Sequence, residues 1–169
     1  CLNYTVGRDC NATVSAMANT YSQIHIQCVV AVRHRESLIK KPWNADLYRY
    51  LTGAIQYYGH KVLAINGMPD HVHVLFGMRP TQSLADLMRE VKTGSAKWIN
   101  SNGFLYGRFE WQEGYGAFSY EKSVLSSVIA YIDNQEEHHR YRTFREEYQD
   151  LLREFAVPFE EKYVFHEPL

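Results

Sequence analysis

The chain has 169 residues, 46% hydrophobic and 14% aromatic, enough apolar material for one compact domain with a sizeable core. A formal net charge of −1 argues against a generic nucleic-acid binder, for which a basic balance is expected, and no apolar run is long enough to span a bilayer. The charge is uneven: net −5 from Asp133 onward and +4 before it, so a mildly basic body remains able to meet phosphate.

Residues 1–16 show no clear period, and Met17-Ala18-Asn19-Thr20 reads as a start just before the first strand. The expectation is an N-terminal extension over 1–16, outside the core, and a single domain over 17–169. Cys1, Cys10 and Cys28 lack metal-like spacing and no convincing secretory signal is present, which fits a reduced, cytoplasmic setting.

From Ile24 to Arg33 the residues alternate, with Ile24, Ile26, Cys28, Val30 and Val32 on one face, predicting a strand with a buried side. A basic loop follows with Arg33 and Arg35. Asn44 is a plausible cap for a helix through Tyr58, with Leu47, Leu51 and Ile55 four apart, ended by Gly59. Lys61–Asn66 reads as a second strand, and Gly67–Asp70 as a turn into a third that carries His71-Val72-His73-Val74-Leu75-Phe76.

Ser83-Leu84-Ala85-Asp86 resembles a capping box, opening a helix whose stripe is Leu84, Leu87, Met88, Val91 and Trp98, stopped by Asn102-Gly103. Arg89, Lys92 and Lys97 lie outside that stripe. The aromatic stretch Phe109–Ser119 contains a further strand. A third helix is expected from about Ser123 to His138, with Val124, Leu125, Val128, Ile129 and Ile132 inward. Thr143-Phe144-Arg145-Glu146 is a capping box for a fourth, with Tyr148, Leu151, Leu152 and Phe155 inward and Pro158 beyond its end.

The order strand–helix–strand–strand–helix–strand, followed by extra C-terminal helices, is a split βαβ, ferredoxin-like arrangement of the α+β class. An antiparallel sheet with helices packed on one face would leave its other face free. In an extended strand His71 and His73 project together, while Val72, Val74 and Phe76 point the other way into a core. Two imidazoles side by side on a rigid strand are a start for a divalent metal site; the ordinary alternative is a pair of hydrogen-bonded, half-exposed histidines. Asp70 is read as a turn former, though its carboxylate lies next to the pair. Tyr131 and Gln135 are four apart on the third helix and so lie one above the other, on the edge of its apolar stripe. His138 and His139 fall at a helix C-terminus, where histidines complement the helix dipole.

His71-Val72-His73 after Pro69-Asp70, with Tyr131 and Gln135 in a Tyr-x-x-x-Gln helix behind Gly114-Tyr115-Gly116-Ala117-Phe118, resembles the HUH single-tyrosine transposases of the insertion-sequence 200/605 group. The resemblance runs from about Thr20 to Phe165. It implies that His71, His73 and Gln135 bind one divalent metal, Mg²⁺ or Mn²⁺, and that Tyr131 is the nucleophile. It further implies single-stranded DNA with hairpins at element ends as substrate. The assembly implied is a homodimer in which the histidine pair of one subunit works with the tyrosine helix of the other. Tyr115 and Tyr120 are nearby rivals to Tyr131; only the register with Gln135 singles it out. Arg33, Arg35, Lys92 and Lys97 are candidate DNA contacts, with a solvated surface as the ordinary reading of each. Three alternatives stay open: a domesticated repeat-associated endonuclease of the same chemistry, a module that holds a DNA hairpin without cutting, and a ferredoxin-like metal protein of another kind.

Overall fold

Four strands pair into one antiparallel sheet, in the order β2-β3-β1-β4, within the computed structural model, which describes residues 21–160. They are β1 (His25–Ala31), β2 (Lys61–Met68), β3 (His71–Gly77) and β4 (Gly116–Tyr120). The helices are α1 (Lys41–Tyr57), α2 (Leu84–Ser101), α3 (Leu125–Asp133), α4 (Gln135–His138) and α5 (Phe144–Glu154). The expected extension over 1–16 lies outside the described residues.

One face of the sheet carries Cys28 and Val30 from β1 with Val72, Val74 and Phe76 from β3, all buried against Leu47, Leu51 and Ile55 of α1 and Leu87, Met88 and Val91 of α2. Each such aliphatic side chain withdrawn from water contributes about 1.5–3 kcal/mol, so this layer holds the two helices to the strands. α1 begins at Lys41, earlier than Asn44, because Pro42 sits in its first turn, where its missing N–H and fixed φ suit a helix start. α2 begins as expected: the Ser83 hydroxyl accepts from the Asp86 backbone N–H at 3.1 Å.

The second face is not free. Val29 and Phe118 pack against Phe144, Leu151 and Leu152 of α5, while Ala64 and Leu75 pack against Val128 and Ile132 of α3. The C-terminal helices therefore roof the side of the sheet from which His71 and His73 project. Those helices supply the apolar area that Val29, Leu75 and Phe118 need, which explains why β1 and β3 are buried on both sides.

The third helix also differs from expectation. A 3-10 turn at Lys122–Val124 precedes α3, and the helix breaks at Asn134 before α4. The Asn134 side-chain amide donates to the Ala130 carbonyl at 2.8 Å, a local bond of the kind that lets asparagine compete with the helical ladder. Asn66 of β2 donates from Nδ2 to the Asp133 carbonyl at 2.9 Å, tying the end of α3 to the sheet.

Candidate active site

Strand pairing sets the site's floor. His71 lies opposite Ala31 and Met68, and His73 opposite Val29 and Asn66, so both imidazoles stand on the roofed face, each fully buried. A two-residue turn at Pro69-Asp70 brings the chain into β3. The Asp70 carboxylate then accepts from His71 Nδ1 at 2.8 Å and from Arg35 Nη2 at 2.9 Å. His34 and Arg35 take left-handed backbone, with φ of 54° and 56°, which turns Arg35 back toward Asp70 and sets its guanidinium 4.6 Å from the centroid of the Phe144 ring. Asp70 is thus both turn residue and anchor of an imidazole. With Nδ1–H committed to Asp70, neutral His71 presents the lone pair of Nε2 to the interior.

His73 has an equivalent brace. The Gln27 side-chain amide donates from Nε2 to His73 Nδ1 at 2.8 Å, and its Oε1 accepts from the Tyr120 hydroxyl at 2.9 Å. Turning that amide over exchanges donor for acceptor, so one residue can hold either tautomer of His73.

The roof supplies Tyr131, Gln135, His139 and Glu147. The Tyr131 ring lies 5.9 Å from that of His73, edge to face. Its hydroxyl donates to Glu147 Oε1, and Gln135 Nε2 donates to the same oxygen at 2.9 Å. Gln135 Oε1 stands 3.5 Å from His71 Nε2. Glu147 Oε2 is 3.5 Å from His73 Nε2 and 3.6 Å from His71 Nε2. The structure therefore gathers His71, His73, Tyr131 and Gln135 in one place. It adds Glu147, a carboxylate only 2% exposed, at their centre.

His139 carries the countercharge. Its Nδ1 meets the Arg142 carbonyl and its Nε2 meets Glu147 Oε2, each at 3.0 Å. Both partners accept only, so both nitrogens hold protons and the ring is an imidazolium. Burial opposes that charge, but Glu147 outweighs burial and raises the His139 pKa above its ordinary value. Burial alone would raise Glu147; the hydrogen bond from His139 and the nearby His73 imidazole reverse this and hold it well below the usual carboxylate range. Burial, and then the Glu147 charge, push the Tyr131 phenol above its ordinary range. Burial favours the neutral form of His71. Asp70 is raised by burial but lowered further by His71 and Arg35, to about 2.

The donor set fits a divalent cation. Ligand atoms of His71, His73 and Glu147 all lie within 4.8 Å of one another. Neighbouring ligands about an octahedral ion with bonds of about 2.1 Å stand about 3 Å apart, so the observed 3.5 Å gaps need to close by only about half an ångström. His73 Nε2 is buried and has no hydrogen-bond partner; turning the Gln27 amide over places the ring's proton on Nδ1 and leaves Nε2 a lone pair for a ligand bond.

The candidate DNA contacts divide. Arg35 is held by Asp70, and Lys92 donates from Nζ to the carbonyls of Gln112 and Gly114 at 2.7 and 2.6 Å. Arg33 pairs with Glu110 on the surface, and Lys97 lines the same groove, joined there by Arg108. A second cleft, of about 380 Å³, opens between α3 and α5 onto Tyr131, Glu147, His138 and Arg142. Sequence reasoning missed Gln27 and Glu147, and read His139 as a helix-dipole partner outside the metal set. The only signal for Glu147 was its place one position beyond the Thr143–Glu146 capping box, on the same helix face as Leu151.

Residues 20–135 match the family model described as "Transposase IS200 like". The chain is 23% identical over 118 residues to the ISDra2 transposase TnpA of Deinococcus radiodurans, covering 67% of this chain and 84% of that protein. Two solved structures share the fold. A crystal structure of a candidate transposase from Deinococcus radiodurans R1 superposes with a TM-score of 0.57 at 21% identity, covering 70% of this chain and 95% of that one. A REP-associated tyrosine transposase bound to a REP hairpin gives 0.55 at 16% identity, over 74% of each chain. The family match spans more than two thirds of the sequence and closes on Gln135, the glutamine that faces His71; the protein belongs to the IS200-like transposase family.

Proposed function

We propose that the protein cuts and rejoins single-stranded DNA through Tyr131, at sites flanked by hairpins, with a divalent cation, Mg²⁺ or Mn²⁺, held at His71, His73 and Gln135. The observation that carries this reading is the Tyr131 ring 5.9 Å from that of His73, with its hydroxyl inside the cluster that Gln135 shares. When bound, the cation supplies electrophilic polarisation of a phosphodiester oxygen and screens the charge that develops on it.

The chain's own residues do the rest. Tyr131 Oη forms the new bond to phosphorus and gives up its proton, the P–O3′ bond breaks, and the released 3′ oxygen takes a proton. The product is a 5′-phosphotyrosine and a free 3′-hydroxyl. One ester replaces another, so the bond energy is conserved and the reverse attack by a 3′-hydroxyl can rejoin strands without ATP. Asp70 and Gln27 orient the imidazoles, and the roof formed by α3 and α5 keeps the site out of bulk water. DNA backbone is met by Arg33 and Lys97, with Arg108, along their shared groove, whose walls Lys92 braces; Arg35 braces the histidine turn.

The resemblance implies a homodimer with exchanged tyrosine helices. Here one chain already brings Tyr131 to its own His73, and we propose that the site works in cis. Incubating labelled single-stranded hairpin DNA with the full chain and Mn²⁺ or Mg²⁺ tests the reading. A covalent protein–DNA band that resists denaturation, and is lost in Tyr131→Phe, is the expected result. A retarded hairpin with no covalent band would reduce the protein to a binding module.

A further inference from the structure

Glu147 lies outside the segment that matches the family model, and outside the three-residue metal set that the resemblance implies. Yet it occupies the centre of the site. A carboxylate withdrawn from water is costly unless it is paired, and the structure commits several elements to placing this one. The Thr143–Glu146 capping box fixes the first turn of α5. Phe144 packs on the His71 ring at 4.2 Å between centroids, and Glu147 follows one turn later. The carboxylate is hydrogen-bonded by Tyr131, Gln135 and His139, while its Oε2 faces the two imidazole Nε2 atoms at 3.5 and 3.6 Å. Those nitrogens are the inward ends of rings braced from behind by Asp70 and Gln27, and His73 Nε2 has no hydrogen bond of its own.

We propose that Glu147 is itself a ligand of the divalent cation, joining His71, His73 and Gln135, so that the ion ties helix α5 to the sheet. This rests on the reading that His71 and His73 bind a cation at all. His139 stays as the hydrogen-bonded outer partner of the ligating carboxylate, the arrangement that commonly orients such a group. A neutral set of His71, His73 and Gln135 would leave the ion's full charge uncompensated by the protein. With Glu147 bound the same cavity holds the ion more tightly, and folding of α5 becomes linked to metal concentration. The competing role for Glu147 is that of a plug, an anion that fills the cavity and must leave before a cation enters.

The two roles give opposite results when Mn²⁺ is the probe, with free ion counted by electron paramagnetic resonance and stability followed by thermal unfolding. Glu147→Gln keeps the side chain's shape while removing its charge and turning one acceptor oxygen into a donor. If Glu147 is a ligand, this variant binds Mn²⁺ on the order of tenfold more weakly or worse and loses most of the Mn²⁺-induced rise in Tm. Equal or tighter binding in Glu147→Gln overturns the proposal. His73→Ala separates the underlying reading: if it binds Mn²⁺ as the parent does, the histidine pair is not the cation site, whatever Glu147 does. Hydrogen exchange on the unaltered chain needs no folded variant. Mn²⁺ should slow exchange across Phe144–Glu154; unchanged or faster exchange there, with Mn²⁺ bound, would mean that the carboxylate is released. Failure of the parent to bind Mn²⁺ removes both the reading and the proposal.

Discussion

Asp70 is the residue on which the histidine turn depends. Its backbone carbonyl accepts from Val32 at 2.8 Å while its side chain holds His71 and Arg35. Asp70→Asn preserves the turn but removes the charge that fixes the Nδ1–H tautomer of His71. Outer partners of metal-bound histidines are commonly worth 10–100-fold in affinity, so Mn²⁺ binding by Asp70→Asn should weaken by about tenfold with Tm little changed. Titration of the variant with Mn²⁺ against the parent checks this; unchanged affinity would make Asp70 a turn residue and nothing more. The Pro-Asp-His-Val-His run made His71, His73 and the neighbouring carboxylate legible in the sequence, because alternation on a strand fixes which side chains share a face. Glu147 was not legible. It sits 76 positions after His71, in an acidic tail whose charges ordinarily face solvent, and only the packing of α5 on the sheet brings it inward. His139, read as a dipole partner at a helix end, proves to be the imidazolium beside that carboxylate.

At the scale of elements, the β2–β3 hairpin and the start of α5 position the chemistry. Gly67 pairs with Val72 at the base of the hairpin, and a Cβ there would stand 2.2 Å from the His71 carbonyl oxygen and 2.8 Å from Val72 Cα. Both are backbone atoms of the strand that carries the histidines, so nothing flexible can yield. Gly67→Ala should cost about 3 kcal/mol, at the upper end for overpacking, and lower Tm by about 6–12 °C. A melt within 2 °C of the parent would refute the close approach. Thr143→Ala removes the α5 cap and should cost about 1 kcal/mol, with a larger fractional loss of Mn²⁺ affinity if α5 brings in a ligand. The Ser83 N-cap and the Thr143 capping box were readable because they are local chemistry. The break at Asn134 was not, since one exposed asparagine in a helical pattern is a weak signal until its side chain is seen to bond Ala130. The early start of α1 was foreseeable from Pro42, a stronger mark of a first turn than Asn44.

Over the whole molecule, the alternation of β1 and β3 produces two buried faces, and the second one houses the site. The sequence expectation of a sheet open on one side failed because no local pattern names partners for Val29, Leu75 and Phe118; α3 and α5 of the same chain are those partners. No helix among the described residues is long and apolar enough to cross a membrane. This roofing sets which histidines the proposed nucleophile meets. Tyr131 reaches its own chain's His73 because α3 is packed on Ala64 and Leu75 and tied to Asn66 at its C-terminal end. Exchange of the tyrosine helix between two protomers would have to open both connections and re-form them on a partner. Mixing Tyr131→Phe with His73→Ala protomers distinguishes the arrangements. A site built in cis leaves every subunit of the mixture defective, the first without a nucleophile and the second without a complete cation site, so no covalent DNA adduct should form. A site built in trans yields one intact composite site per mixed dimer, and about half the mixtures' dimers at equal loading would be mixed if protomers pair at random. Adduct formation well above either variant alone, in mixtures shown to contain heterodimers, would therefore establish exchange. The packing of α3 on its own sheet predicts that none is seen.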